Sequence, residues 1–321
     1  MSAGVYRSVL ALAVALAASV SQASAQTPLL YRWTQGDVLL YRTVLKTTSN
    51  VSGGPAGTVE QTLTQTQTVK LIVAAVGPDG SATLRQTIES VAMDITGPMG
   101  KMAYDSTKPP PADDADPRTA TLAKTFGAIV GEAISVTITP NGVVKSIAGT
   151  AKIIEKLMKD LPMDPLAAGL AQNIKAMLSD EALRTSLEQS FSRMPDQPVK
   201  PGDTWTSEQT LGVDVLGRII GTSTFTLKAI EGTGDAAVAR IGVALAIRQE
   251  STPGAAASMS VKLGPSKGEG ELLFHIGKGR VERNSMRSEM PSTITMRGRE
   301  GGPATMQNNT TTSMTLERIE K

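Results

Sequence analysis

The chain has 321 residues, a formal net charge of +2, one histidine and no cysteine. That near-balance of charge gives no reason to expect nucleic acid or an anionic membrane as partner, and 3% aromatic residues leave few platforms for stacking bases or sugars. The missing cysteine excludes disulfides, thiolate metal ligands, thiol nucleophiles and lipid attachment through an N-terminal cysteine, so the core alone must hold the fold together.

Residues 1–25 read as an export signal. Arg7 supplies a positive start, Val9 to Val20 form an apolar run short for a bilayer span, and Ala23-Ser24-Ala25 gives the small-x-small pattern for cleavage before Gln26. No later segment has the length of a membrane span, so the mature protein is expected in the periplasm or outside the cell. What remains is long enough for one large domain or two coupled halves, and its threonine, glycine and small apolar residues suit sheet better than long helix.

Gly36-Asp37 opens a strand, VLLYRTVLKTT, which runs to the glycine-rich SGGPAG. In TVEQTLTQTQTVKLIVAAV, Thr62, Thr64, Thr66 and Thr68 share one face while Leu63, Val69, Leu71 and Val73 take the other, the period of a half-buried strand. Gly77-Pro78-Asp79-Gly80 turns it into a second alternating strand, SATLRQTIESVAMDITG. The loop STKPPPADDADP carries Asp113, Asp114 and Asp116, without the alternating oxygen ligands and closing Glu of a calcium loop. Asp116-Pro117 instead starts a helix with Leu122, Phe126, Ile129 and Val130 on its stripe, followed by a hairpin about Pro140-Asn141-Gly142.

Three helices are predicted next. They carry Ile153, Ile154, Leu157 and Leu161; then Leu166, Leu170, Ile174 and Met177 after Asp164-Pro165; then Leu183, Leu187, Phe191 and Met194 after a Ser179 cap. Beyond Pro198 strands return: TWTSEQTL after Gly202-Asp203, GRIIGTSTFTLKAI, the turn EGTGD, AAVARIGVALAI, a hairpin about Gly277-Lys278-Gly279, and the tail MQNNTTTSMTLERI.

The pieces repeat in order. Each half opens on Gly-Asp beside one of the chain's two tryptophans, continues with QTQTVKLIV or TSTFTLKAI, and later has ITPNGVV or HIGKGRV. The expected fold is mainly β with a helical insert (α+β): two related antiparallel units as curved sheets, a sandwich or a half-barrel, with helices against them. The segments are the signal at 1–25, a first β unit with a short helix at 26–148, a helical segment at 149–197 and a second β unit at 198–321. The opening W-x-x-G-D-x-x-x-Y (Trp33, Gly36, Asp37, Tyr41), the central K-P-G-D-x-W (Lys200 to Trp205) and the late G-x-G-R-V (Gly277 to Val281) resemble a bacterial exported family, domain-of-unknown-function family 6263. That resemblance implies a fold and no catalytic residues. More loosely, long curved strands with helices against them look like periplasmic lipid and lipoprotein carriers.

No catalytic motif stands out. A Ser-His-Asp triad would need the lone His275, on an alternating strand beside Phe274 and Ile276, and there is no G-x-S-x-G elbow. Metal sites would rest on carboxylates alone, no phosphate loop is present, and no cofactor is expected. Asp37 and Asp203 could form a split carboxylate pair, but Gly-Asp beside Trp33 or Trp205 reads better as a strand-entry device: glycine makes the turn, aspartate accepts local N–H groups, tryptophan covers the sheet end. Arg280, Arg283, Arg287, Arg297 and Arg299 form a basic stretch diluted by Glu282 and Glu289, the usual look of a solvated sheet face. The function expected is a non-enzymatic cell-envelope protein holding an apolar or amphiphilic ligand, with a lipid or an envelope protein as partner. Met158, Met177, Phe191 and Met194 are candidate groove residues, against the plainer reading of core filling. The alternatives are a structural or protein-interaction module and a carboxylate-based hydrolase.

Overall fold

A computed structural model describes residues 26–54, 57–109, 117–159, 178–213, 217–250, 259–296 and 304–320. Outside them lie the signal segment, the Asp113, Asp114 and Asp116 loop, the expected helix of Leu166, Leu170, Ile174 and Met177, and Arg297 and Arg299. In chain order the elements are β1 (Val38–Gly54), β2 (Gly57–Val76), β3 (Ala82–Gly97), β4 (Gly100–Asp105), α1 (Pro117–Ile129), β5 (Ala133–Ile138), β6 (Val144–Ala148), α2 (Thr150–Lys159) and α3 (Asp180–Phe191). The second half adds β7 (Thr204–Val213), β8 (Gly217–Glu231), a 3-10 turn at Gly234–Ala236, β9 (Val238–Glu250), β10 (Met259–Leu263), β11 (Ser266–His275), β12 (Arg280–Met296) and β13 (Ala304–Ile319).

All thirteen strands among the described residues belong to one curved, unclosed antiparallel sheet of order β6-β5-β3-β2-β1-β13-β12-β11-β9-β8-β7, with β4 on β3 and β10 on β12. Each half is a meander, so its neighbours in sequence pair in space, and the halves join where β1 meets β13. The related antiparallel units expected from the sequence are therefore stretches of a single sheet.

The likeness of the halves extends to single hydrogen bonds. Gly36 N–H donates to Val73 O (2.9 Å), Asp37 N–H to Thr34 O (3.0 Å) and Val73 N–H to Asp37 O (2.9 Å). The same three bonds recur as Gly202 to Leu227 (2.8 Å), Asp203 to Lys200 (3.0 Å) and Leu227 to Asp203 (3.0 Å). Both glycines take left-handed backbone angles, φ +91° and +97°. A β-bulge follows at Val73/Ala75 in β2 and at Leu227/Ala229 in β8, and another at Thr137/Ile138 in β5 and Leu273/Phe274 in β11. The equivalence matches Trp205 with Leu39 and Trp33 with Val199, so each half puts its large ring on a different side of the turn.

The core occupies one end of this sheet. Leu39 and Tyr41, Leu71 and Val73, Ala82 and Leu84, Val136 and Ile138, Leu227, Ala239 and Ile241, and Leu272 and Phe274 are inward neighbours buried there. The segment before β1 closes that end. Thr27 pairs with Val199, Tyr31 N–H donates to Pro140 O (2.7 Å) in one hairpin turn, and Arg32 N–H to Gly279 O (3.0 Å) in its counterpart.

A Cβ added to Gly36 or Gly202 would meet nothing within 4 Å, so alanine there costs only the left-handed backbone penalty of about 1–2 kcal/mol. Urea unfolding of Gly36→Ala and Gly202→Ala should show equal losses of that size; a loss at one site and none at the other would break the equivalence.

Candidate ligand cavity

The two end strands of the sheet, β6 and β7, do not pair with each other; α3 lies against both. Ser179 caps the helix, its Oγ accepting from Ala182 N–H at 3.3 Å. Arg184 reaches the β6 edge, donating to Val144 O (2.6 Å) and Lys145 O (3.4 Å). At the other end of α3, Trp205 Nε1 on β7 donates to Arg193 O at 2.8 Å, and the Tyr31 hydroxyl donates to Ser192 O at 3.3 Å. Leu187 and Phe191 face the core, where Phe191 meets the Tyr31 ring edge-on at 6.3 Å. Ser192 is the one described non-glycine residue with positive φ (+47°), and the bonds about it hold it there.

Beyond the packed end, the inward rows continue and lose contact with the helices. Tyr41 is followed by Thr43 and Leu45 on β1, Leu71 by Val69, Gln67 and Gln65 on β2, Phe225 by Ser223 and Gly221 on β8, and Val243 by Leu245 and Ile247 on β9. Two cavities result. One of about 290 Å³ lies among Val69, Leu71, Ile88, Ile134, Ile153, Leu187, Phe191 and the rings of Tyr31, Trp33 and Tyr41. The other, about 470 Å³, lies among Leu45, Phe225, Leu245, Met286 and Met314, with Gln65, Gln209, Asn284, Ser192 and Arg193. Thr43, Gln67, Ser186, Ser190 and Leu316 border both, so the two adjoin beneath α3. The first is nearly all apolar apart from Gln67, Gln86, Glu132 and hydroxyls; the second mixes apolar and polar walls.

Burial raises the phenol pKa values of Tyr31 and Tyr41, with neighbouring Tyr41 and Glu282 respectively adding to the effect, so both remain neutral hydrogen-bond donors. Tyr41 donates to Val281 O at 3.0 Å. Glu132 is held by Lys156 (3.0 Å) and Lys152 (3.4 Å), which lower its pKa.

Of the residues singled out from sequence, Phe191 and Trp33 border the first cavity. Met194 is wholly buried in the core, Met158 is half-buried on α2 outside both linings, and Met177 is outside the described residues. The methionines that do border a cavity, Met286 and Met314, lie on strands. Asp37 and Asp203 do not converge: five strands stand between β1 and β7, and neither residue borders a cavity. Asp203 Oδ2 accepts from Lys200 N–H at 2.9 Å, a local turn bond. His275 Nδ1 accepts from Lys278 N–H at 3.3 Å inside its own hairpin turn. Glu282 bonds Arg318 (2.7 Å) and Arg280 (3.4 Å), and Glu289 lies 3.8 Å from Arg287, so the basic stretch is interleaved with acids. Among the described residues no cluster of His, Asp and Glu could hold a metal ion, and no helix is long and apolar enough to cross a membrane.

The fold is thus an open, internally repeated antiparallel sheet with a hollow under a bridging helix. The chain belongs to the family of unknown function DUF6263, whose model matches residues 79–264, more than half of its length. Of the three motifs noted in the sequence, only Lys200 to Trp205 falls inside that range. No curated protein matches the sequence. Among solved structures, a lipovitellin described for its lipid–protein interactions is similar at 11% identity and TM-score 0.46, over 90% of this chain and 26% of that one, so the chain spans about a quarter of its length. DynF from the dynemicin pathway of Micromonospora chersina (8% identity, TM-score 0.19, 91% and 85% covered) and OpdQ of Pseudomonas aeruginosa (6%, 0.19, 88% and 99%) are more distant. At these scores none carries an argument about function.

Partial burial, with Lys278 nearby, lowers the His275 pKa below its ordinary 6.5. A depressed histidine pKa means that protonation favours the unfolded chain. Its contribution to stability is full above pH ~6.5 and is lost as pH falls through the folded-state value. The imidazole resonances of this single histidine should titrate below 6.5 by NMR, and His275→Gln should flatten that part of the stability profile; titration at or above 6.5 would contradict the bond from Lys278.

Proposed function

We propose that this is an exported, non-enzymatic protein of the cell envelope that holds an apolar or amphiphilic ligand between its sheet and α3. The observation that carries the reading is the pair of adjoining cavities. Their volumes, about 290 and 470 Å³, fit the range of roughly 300–1,000 Å³ in which small-molecule sites fall. An apolar compartment opening into a mixed one suits a molecule with a tail and a polar end. The signal-like segment with its cleavage pattern before Gln26 supports export, and the separation of Asp37 from Asp203 supports a non-catalytic role.

Ser190 borders both cavities from the exposed side of α3, so Ser190→Trp fills the space without disturbing the packed end. Displacement of N-phenyl-1-naphthylamine should show amphiphile binding about tenfold weaker or worse, ~1.4 kcal/mol. A substitution of this kind should shift Tm by no more than about 4 °C. Unchanged affinity would remove the cavities from the argument. Export is checked separately: N-terminal sequencing of the mature protein should start at Gln26.

A further inference from the structure

The second cavity contains a polar group with an unmet requirement. Asn284 on β12 is inward, 6% exposed, and borders the cavity together with Met286 and Ser288 of the same inward row. Its Nδ2 donates to Ser192 Oγ at a long 3.4 Å, and its Oδ1 is buried with no hydrogen-bond partner among the described residues. Turning the amide over would let Ser192 donate to the oxygen and leave the nitrogen without a partner, so one end is open in either orientation. Buried side-chain polar atoms are almost always satisfied, and leaving one unpaired is costly. A ligand hydroxyl, which both donates and accepts, answers either orientation.

Charge narrows the class. Among the described residues, the charged ones bordering this cavity are Glu188 and Arg193, and Arg193 Nη2 is already engaged by Asp196 at 2.9 and 3.2 Å. Among the described residues, Glu132 is the charged one bordering the first cavity, neutralised by Lys152 and Lys156, which are not in its lining. A carboxylate or phosphate entering this space would lose its water without gaining a free cation from the described residues, and would meet Glu188. Resting on the ligand-carrier reading, we infer that the second cavity receives an uncharged, hydroxyl-bearing headgroup, such as that of a monoacylglycerol, with Asn284 as the residue that selects it and the acyl chain directed into the first cavity.

The test compares two probes of equal chain length, 1-monooleoylglycerol and oleate, as competitors of N-phenyl-1-naphthylamine at pH 8 on the full mature chain. The glycerol ester should displace the dye at about tenfold lower concentration than the acid, the discrimination expected when a buried polar partner is met or missed. In Asn284→Leu the ratio should fall several-fold, with oleate affinity little changed and the share due to Glu188 remaining; Asn284→Asp, nearly isosteric, should disfavour oleate further. Because the ratio is read first on the unaltered protein, misfolding of a variant does not blunt the test. Equal or tighter binding of oleate, or an unchanged ratio in a folded Asn284→Leu protein, overturns the headgroup assignment and leaves the carrier reading standing. Failure of dye and both lipids to bind overturns both.

Discussion

The outer edges of β6 and β7 carry backbone N–H and C=O groups that no further described strand completes, and a sheet this curved brings those edges toward each other without joining them. What covers them is α3. Its Arg184 takes the Val144 and Lys145 carbonyls of one edge, while the Arg193 carbonyl just beyond it receives Trp205 Nε1 from the other. A helix is about 10 Å across with its side chains, twice the spacing of strands, so inserting one holds the sheet open. The hollow follows from that spacing: where the aromatic side chains of Tyr31, Phe191 and Phe274 reach across, the interior is packed, and where inward residues shorten to Thr43, Ser223 and Ser288, it is not.

Much of the element order is legible in the sequence because it is local. Alternation marks the strands, Gly77 to Gly80 and Asn141-Gly142 mark turns, and Ser179 marks the start of α3. The repeat is legible in outline and misleading in detail. Aligning Lys70 with Lys228 in QTQTVKLIV and TSTFTLKAI places the strands four residues out, because the hydrogen bonds of Gly36 and Gly202 match Val73 with Leu227. Bulges carry that register, and a bulge is a relation between two strands that a single strand's composition does not record. The hollow is less legible still: its walls come from β1, β2, β8, β9, β12 and β13, distant in the chain, and from the seam that α3 fills. One local trace exists. In RVERNSMRSEM the inward row reads Asn284, Met286, Ser288, a polar residue where a buried row would carry an apolar one.

The repeat also accounts for the unequal cavities. Ala82 and Leu84 on β3 correspond to Ala239 and Ile241 on β9, and their partners Ile138 and Val136 on β5 to Phe274 and Leu272 on β11. One step further along the same rows, Gln86 pairs with Ile134 in the first half, and Val243 pairs with Gly270 in the second. Ile134 projects into the first cavity; Gly270 projects nothing into the second. A Cβ at Gly270 would strike the Ser285 carbonyl and the Met286 sulfur, so the glycine lets β12 come close and Met286 takes the place that a side chain on β11 would fill. The same duplicated scaffold thus carries a smaller, greasier chamber beside Ile134 and a larger one, about 470 against 290 Å³, beside Met286. Asn284 lies two residues before Met286 on the inward row of β12, so the strand that the glycine lets come close presents its amide to the larger chamber beside the methionine, and the polar end of the hollow comes from the second half.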